Sequence, residues 1–187
     1  MKIIFVTHGE TVENAGGVLM GQAIGGELSQ LGKLQAQELA NALKDTKIDY
    51  AYSSDLNRAV QTANEILKYH KDLRLTLSKE IRERSFGSFQ GKTKSEVGWQ
   101  DRMTAEDHAD FEPMKELYAR IEQFLIKLEK QHRNDTVLLV AHRNVGLILE
   151  AIVRGIPVSK ISQAGLSNMK TGGMKTFDYA GKSKVTY

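Results

Sequence analysis

Two histidines stand at matching places in the chain. His8 closes an apolar run of Ile3, Ile4, Phe5 and Val6 and is followed by Gly9, Glu10 and Thr11; His142 closes a second run over 136–141 and precedes a helical stretch opening near Asn144. Continuous apolar runs rich in β-branched residues are the pattern of strands buried on both faces. Each imidazole is therefore delivered to the end of a central strand. An imidazole there is suited to proton transfer or ligand contact near neutral pH, and the glycine after His8 leaves room for a ligand or a tight turn. One such histidine is equally well read as a structural hydrogen-bonding group; two strands bringing histidine to one edge are much less easily an accident. His70, His108 and His132 lie in polar surroundings and are expected at the surface. A third candidate is Arg58, in the first turn of a helix expected over 56–69, where a cation is unfavourable unless an anion lies close. Ser54 or Asp55 just before it is better explained as a helix N-cap than as a catalytic group.

The elements that must position these groups alternate. Further strands are expected at 49–53 and at 73–77, the second alternating like a half-buried edge, and a closing hairpin at 174–179 and 184–187 around Gly181. Helical periodicity runs over 29–43, with Leu31, Leu34, Leu39 and Leu43, and over 114–132 and 144–153. Strand–helix alternation of this kind predicts an α/β domain, a three-layer α/β/α sandwich around a mostly parallel sheet. Ligands of such sheets sit beyond the carboxyl ends of the strands, near helix N-termini. That singles out 7–11, 53–58 and 142–144. The Gly-rich stretch 14–27 reads as an active-site loop, and the polar stretch 92–113, with Trp99, Met103 and Phe111, as a small cap with partial helix.

A chain of 187 residues, 41% hydrophobic, is long enough for one substantial core, and 1–187 reads as a single domain without repeats. Lys and Arg number 26 against 23 Asp and Glu, spread along the chain, which argues against a nucleic-acid binder. No apolar stretch reaches membrane-spanning length or resembles a signal sequence, so a soluble, unprocessed protein without a membrane partner is expected. The absence of cysteine excludes thiolate catalysis and Cys-ligated zinc, and fits the cytoplasm.

Several blocks together resemble the histidine phosphatase, or phosphoglycerate mutase-like, superfamily. They are Thr7, His8, Gly9, Glu10 and Thr11 with Asn14; the segment 53–63; Arg82 and Glu83 followed by Phe86, Gly87, Gln90 and Gly91; and Val140, Ala141 and His142. Fainter likeness continues through Leu28, Ser29, Gly32, Gln35 and Ala36, and from Phe111, Glu112 and Pro113 to Arg120. The resemblance implies that His8 is the nucleophile, attacking phosphorus to give a phosphohistidine that water then hydrolyses. It makes Arg58 and Asn14 phosphate ligands, His142 a partner of the transferring oxygens, and Glu83 the acid that protonates the leaving oxygen. By composition alone Glu83 would pass for a solvated carboxylate between Arg82 and Arg84. The implied substrate is a small phosphorylated metabolite, with no cofactor and no metal; oligomeric state is left open.

The chain departs from the family's signature in two places. Thr7 stands where an arginine normally precedes the nucleophile, and Arg143 stands where glycine usually follows the second histidine. Arg143 either reaches the pocket that Thr7 leaves without a cation or points to solvent from the start of the helix near Asn144. A catalytically weak phosphate-binding relative, and less readily a mutase, are the alternative functions.

Overall fold

The computed structural model describes residues 1–23, 25–98, 108–166 and 169–181. Its five strands are β1 Lys2–Thr7, β2 Tyr50–Ser54, β3 Leu75–Ser78, β4 Thr136–Ala141 and β5 Met174–Asp178, ordered β3-β2-β4-β1-β5. All neighbours pair in parallel except β5, which runs antiparallel to β1. The helices are α1 Val12–Ala15, α2 Gln30–Leu43, α3 Asn57–Leu67, α4 Met114–His132 and α5 Arg143–Val153.

Pleat alternation sorts the two central strands into two cores. Ile3, Phe5, Val137 and Leu139 pack with α4 and α5 through Leu117, Leu125 and Ile148, while Ile4, Val6, Leu138 and Val140 pack with α2 and α3 through Leu39, Leu43 and Ile66. Both faces of β1 and β4 are thus covered, which is why their sequences are continuous apolar runs. A fully buried Leu, Ile or Phe contributes about 1.5–3 kcal/mol, so this strand pair anchors the sheet firmly. No described helix is long and apolar enough to cross a membrane.

Several local expectations are corrected. Leu31 and Leu34 are exposed, because α2 buries Gly32, Ala36, Leu39, Ala40 and Leu43 instead. The cause is close approach: a Cβ on Gly32 would overlap the Glu10 carbonyl oxygen, so glycine must face the turn that follows β1, and that contact sets which stripe of α2 is buried. His132 is buried rather than at the surface, its Nε2 lying 2.8 Å from the Tyr52 hydroxyl and its ring 3.9 Å from that of Tyr50. His70 and His108 are half-buried, the latter stacked on Phe111. Neither Ser54 nor Asp55 caps α3: Leu56 holds the N-cap position without a side-chain bond, while both Asp55 oxygens accept from Arg82 at 2.6 Å. The segment 174–178 satisfies the open edge of β1 along its length, and the partner strand expected at 184–187 lies outside the described residues. In the cap, 92–98 and 108–113 form turns closed by Phe111 packing on Leu19 and Phe86; the rest of the expected cap, 99–107 with Trp99 and Met103, lies outside the described residues.

Candidate active site

The parallel register places Thr7 opposite Ala141, so β1 and β4 end level. One further ladder bond, from the His8 amide to the Ala141 carbonyl at 3.1 Å, carries the alignment past the strands. The two imidazoles that follow consequently meet, with ring centroids 5.1 Å apart and planes inclined at 61°.

His8 Nδ1 lies 2.7 Å from the Gly9 carbonyl oxygen. A carbonyl only accepts, so Nδ1 carries the proton and Nε2 keeps its lone pair. Burial foremost, then the Arg58 guanidinium, bring the His8 pKa down to about 3, against the opposing effect of the Gly9 bond. At any physiological pH this is a neutral imidazole of defined tautomer. His142 is fully buried and its pKa is likewise held well below the usual value, by burial first and by Arg58 next. Neither of its ring nitrogens has a hydrogen-bond partner among the described residues.

Among the described residues, Arg58 is the largest side chain wholly enclosed by the protein, at 1% exposure. Its Nη2 donates to the Gly21 carbonyl at 2.7 Å, which ties the Gly-rich loop to α3, while Nη1 is buried without a partner among the described residues. A buried polar atom so placed beside a cleft is poised for a ligand oxygen. Thr62, one turn along, accepts from the Gly9 amide at 3.0 Å and donates to the Arg58 carbonyl at 2.8 Å. That hydroxyl couples the arginine's helix to the turn carrying His8.

Glu83 is buried, and burial raises its pKa in spite of the opposing Arg84 amide and the Arg58 charge. Its oxygens accept from the amides of Arg84 at 2.8 Å and Asn144 at 3.5 Å. The backbone around it is gripped by Arg120, which donates to the carbonyls of Glu80 at 2.7 Å, Arg82 at 2.9 Å and Glu83 at 3.4 Å. Glu112 holds that guanidinium through bonds of 2.9 and 2.8 Å. A composition-level view of Glu83 as a solvated carboxylate therefore does not hold; Arg82 beside it is engaged with Asp55.

Thr7, His8, Asn14, Arg58, Glu83, Arg143 and Asn144 all line one cleft of about 1660 Å³, and the His142 ring lies edge-on against that of His8. These seven residues are thus gathered at the carboxyl end of the sheet. Asn14 and Arg143 stand on exposed parts of the wall. Thr7 is buried, its Oγ1 unpaired among the described residues. Thr62 and the turn 170–173 were not singled out. Gly172 donates to the His8 carbonyl at 3.0 Å and the Gly173 carbonyl accepts from Thr7 at 2.9 Å. A Gly-Gly pair ahead of the last strand was the available signal for that turn.

A neutral buried imidazole facing a second one, a buried guanidinium and a carboxyl group with a raised pKa form a site fit for handling an anionic group on a parallel α/β scaffold. The chain belongs to the histidine phosphatase superfamily (branch 1), whose profile matches residues 3–185. It is 31% identical to the phosphoglycerate mutase-like protein 4 of Arabidopsis thaliana over 155 residues, covering 77% of this chain and 67% of that protein. It is 30% identical to phosphoserine phosphatase 1 of Hydrogenobacter thermophilus over 177 residues, covering 90% of this chain and 83% of that one. Among solved structures, the phosphoserine phosphatase of Entamoeba histolytica in complex with 3-phosphoglyceric acid superposes with a TM-score of 0.78 at 27% identity, over 95% of this chain and 90% of that one.

Proposed function

We propose that the protein is a metal-independent phosphomonoesterase acting on a small phosphorylated metabolite through a phosphohistidine at His8. The observation that carries this is the His8 tautomer: Nδ1–H committed to Gly9 leaves Nε2 as a neutral nucleophile in the same cleft as Arg58 and Glu83. In this reading Nε2 attacks phosphorus, Arg58 Nη1 and the His142 ring receive the equatorial oxygens, and Asn14 adds a further polar contact. Glu83 gives its proton to the departing oxygen, then takes one from the water that attacks the phosphohistidine. Phosphoryl transfer asks chiefly for positioning and charge stabilisation, which these groups supply. A panel of phosphomonoesters assayed for phosphate release with excess chelator tests the assignment. Chelator-resistant turnover is expected; none on any member would favour a protein that only binds phosphorylated ligands.

Arg143 takes the place of the missing signature arginine. Gly146 of α5 packs so tightly on Phe5 that a Cβ there would overlap the ring. From that contact Arg143 lies one turn toward the cleft, about 4.5 Å along the helix. Thr7 lies two residues toward it along the same face of β1, about 6.6 Å. Both residues therefore lie on the cleft side of that contact, and both line the cleft. Arg143→Ala is expected to lower kcat/KM by roughly 10²- to 10³-fold, the loss that follows removal of one preorganised donor. Thr7→Arg should partly rescue it. A double-mutant cycle on kcat/KM reads the coupling, since groups sharing one phosphate are non-additive whereas a solvated Arg143 leaves the two changes independent. A large gain from Thr7→Arg alone, with Arg143→Ala silent, would mean that the cation is simply missing.

A further inference from the structure

The charges along the cleft are not a sample of the whole protein. Overall the chain carries 26 basic and 23 acidic residues, close to balance. Among the described residues, the cleft wall carries six cations, Arg58, Arg84, Lys94, Lys115, Arg143 and Lys170, and one carboxyl group, Glu83. Burial raises the pKa of that one acid, which favours its neutral form. Two of the cations, Arg58 and Arg143, answer to the transferred phosphoryl group in the reading above. Arg84 is taken up by structure, its Nε donating to the Glu112 carbonyl at 2.8 Å and its guanidinium lying 5.6 Å over the Phe111 ring.

Lys94, Lys115 and Lys170 remain. Each is exposed at the rim, and none has a carboxylate partner among the described residues. They arrive from three separate parts of the chain, and each part is anchored. The Lys94 amide donates to the Gly17 carbonyl at 3.0 Å, holding it beside the Gly-rich loop. Lys115 stands in the first turn of α4, the helix whose Arg120 grips the Glu83 backbone. The Lys170 carbonyl accepts from Gly173 at 3.1 Å within the turn that also binds the His8 and Thr7 backbones. Like charges converging on one concave surface repel, and the low-dielectric walls focus their field. An anionic ligand group relieves that cost, and the transferred phosphoryl already has its own partners.

We propose that the substrate carries a second anionic group, a carboxylate or a second phosphate, on its leaving-group side, received by Lys94, Lys115 and Lys170. This rests on the phosphatase reading. The matching experiment uses substrate pairs that differ in that group alone: phosphoserine against phosphoethanolamine, 3-phosphoglycerate against glycerol 3-phosphate, and fructose 1,6-bisphosphate against fructose 6-phosphate. The member with the extra anion is expected to show at least ~10-fold higher kcat/KM, mostly through KM, and the advantage should shrink as salt shortens the Debye length from about 10 Å at 0.1 M to about 3 Å at 1 M. Preference in the first two pairs assigns a carboxylate, and in the third a phosphate. In a protein carrying Lys94→Gln, Lys115→Gln and Lys170→Gln together, the ratio within a pair should collapse toward one. Ratios near one in the wild type, or wild-type ratios preserved in the triple variant, overturn the proposal. If no phosphomonoester is turned over, the phosphatase reading fails by itself; calorimetric binding of the same pairs to wild type and triple variant then decides the lysines' role by the same ratios.

Discussion

Replacing His8 with alanine is expected to abolish phosphate release, by at least ~10⁴-fold, and with it any acid-labile phosphoenzyme trapped by quenching during turnover. The size of the loss follows from the covalent role: neither His142 nitrogen has a hydrogen-bond partner among the described residues to fix its tautomer, as the Gly9 carbonyl does for His8. Among the described residues the His8 ring bonds to the carbonyl of its own neighbour alone, so thermal melting should stay close to wild type. Loss of both label and product with an intact fold supports the phosphohistidine route. Unimpaired turnover in His8→Ala would end it.

The second large effect belongs to Glu83 and depends on the substrate. Glu83→Gln should slow alkyl phosphates by about 10²- to 10⁴-fold, the range for losing a general acid, and an activated aryl phosphate far less, because its leaving group departs with little protonation. The pH profile provides an independent reading. A general acid must hold its proton, and burial raises the Glu83 pKa, so the active acid form persists to higher pH than for an ordinary glutamate. Alkyl phosphate hydrolysis should therefore fall as pH rises through that raised value, and the glutamine variant should lose this limb. His8, with a pKa of about 3, imposes no limit until far lower pH. Equal losses on alkyl and aryl substrates would mark Glu83 as a structural carboxyl group.

The candidate site and its scaffold were readable to different depths. Strand runs ending in His8 and His142 could be seen because strands buried on both faces leave an unbroken apolar signature, and parallel pairing then forces their ends level. Arg58 was visible as a cation in a place that helix electrostatics disfavours. Glu83 was legible only through family likeness, since its burial depends on Arg120 and Glu112, about thirty to forty residues away in sequence, gripping its backbone. The same limit applies to His132, which reads as polar surroundings locally but is enclosed by Tyr50 and Tyr52 of a distant strand. Leu31 and Leu34 misled because apolar periodicity does not say which stripe of a helix meets the sheet. The backbone contact at Gly32 decided that.

This contact between α2 and the exit from β1 also governs how the protein can come apart locally. A Cβ on Gly9 would overlap the Gly32 carbonyl oxygen, and one on Gly32 would overlap that of Glu10, so the two backbones touch with nothing between them. The Ser29 amide and hydroxyl bind Glu10 at 2.9 and 2.8 Å, and the Gln35 side chain accepts from the Glu10 amide at 2.8 Å. The turn that holds His8 consequently cannot fray as surface loops do. To open, it must take the first turns of α2 with it, and their amides should exchange with solvent hydrogen as one cooperative unit, close to the free energy of global unfolding.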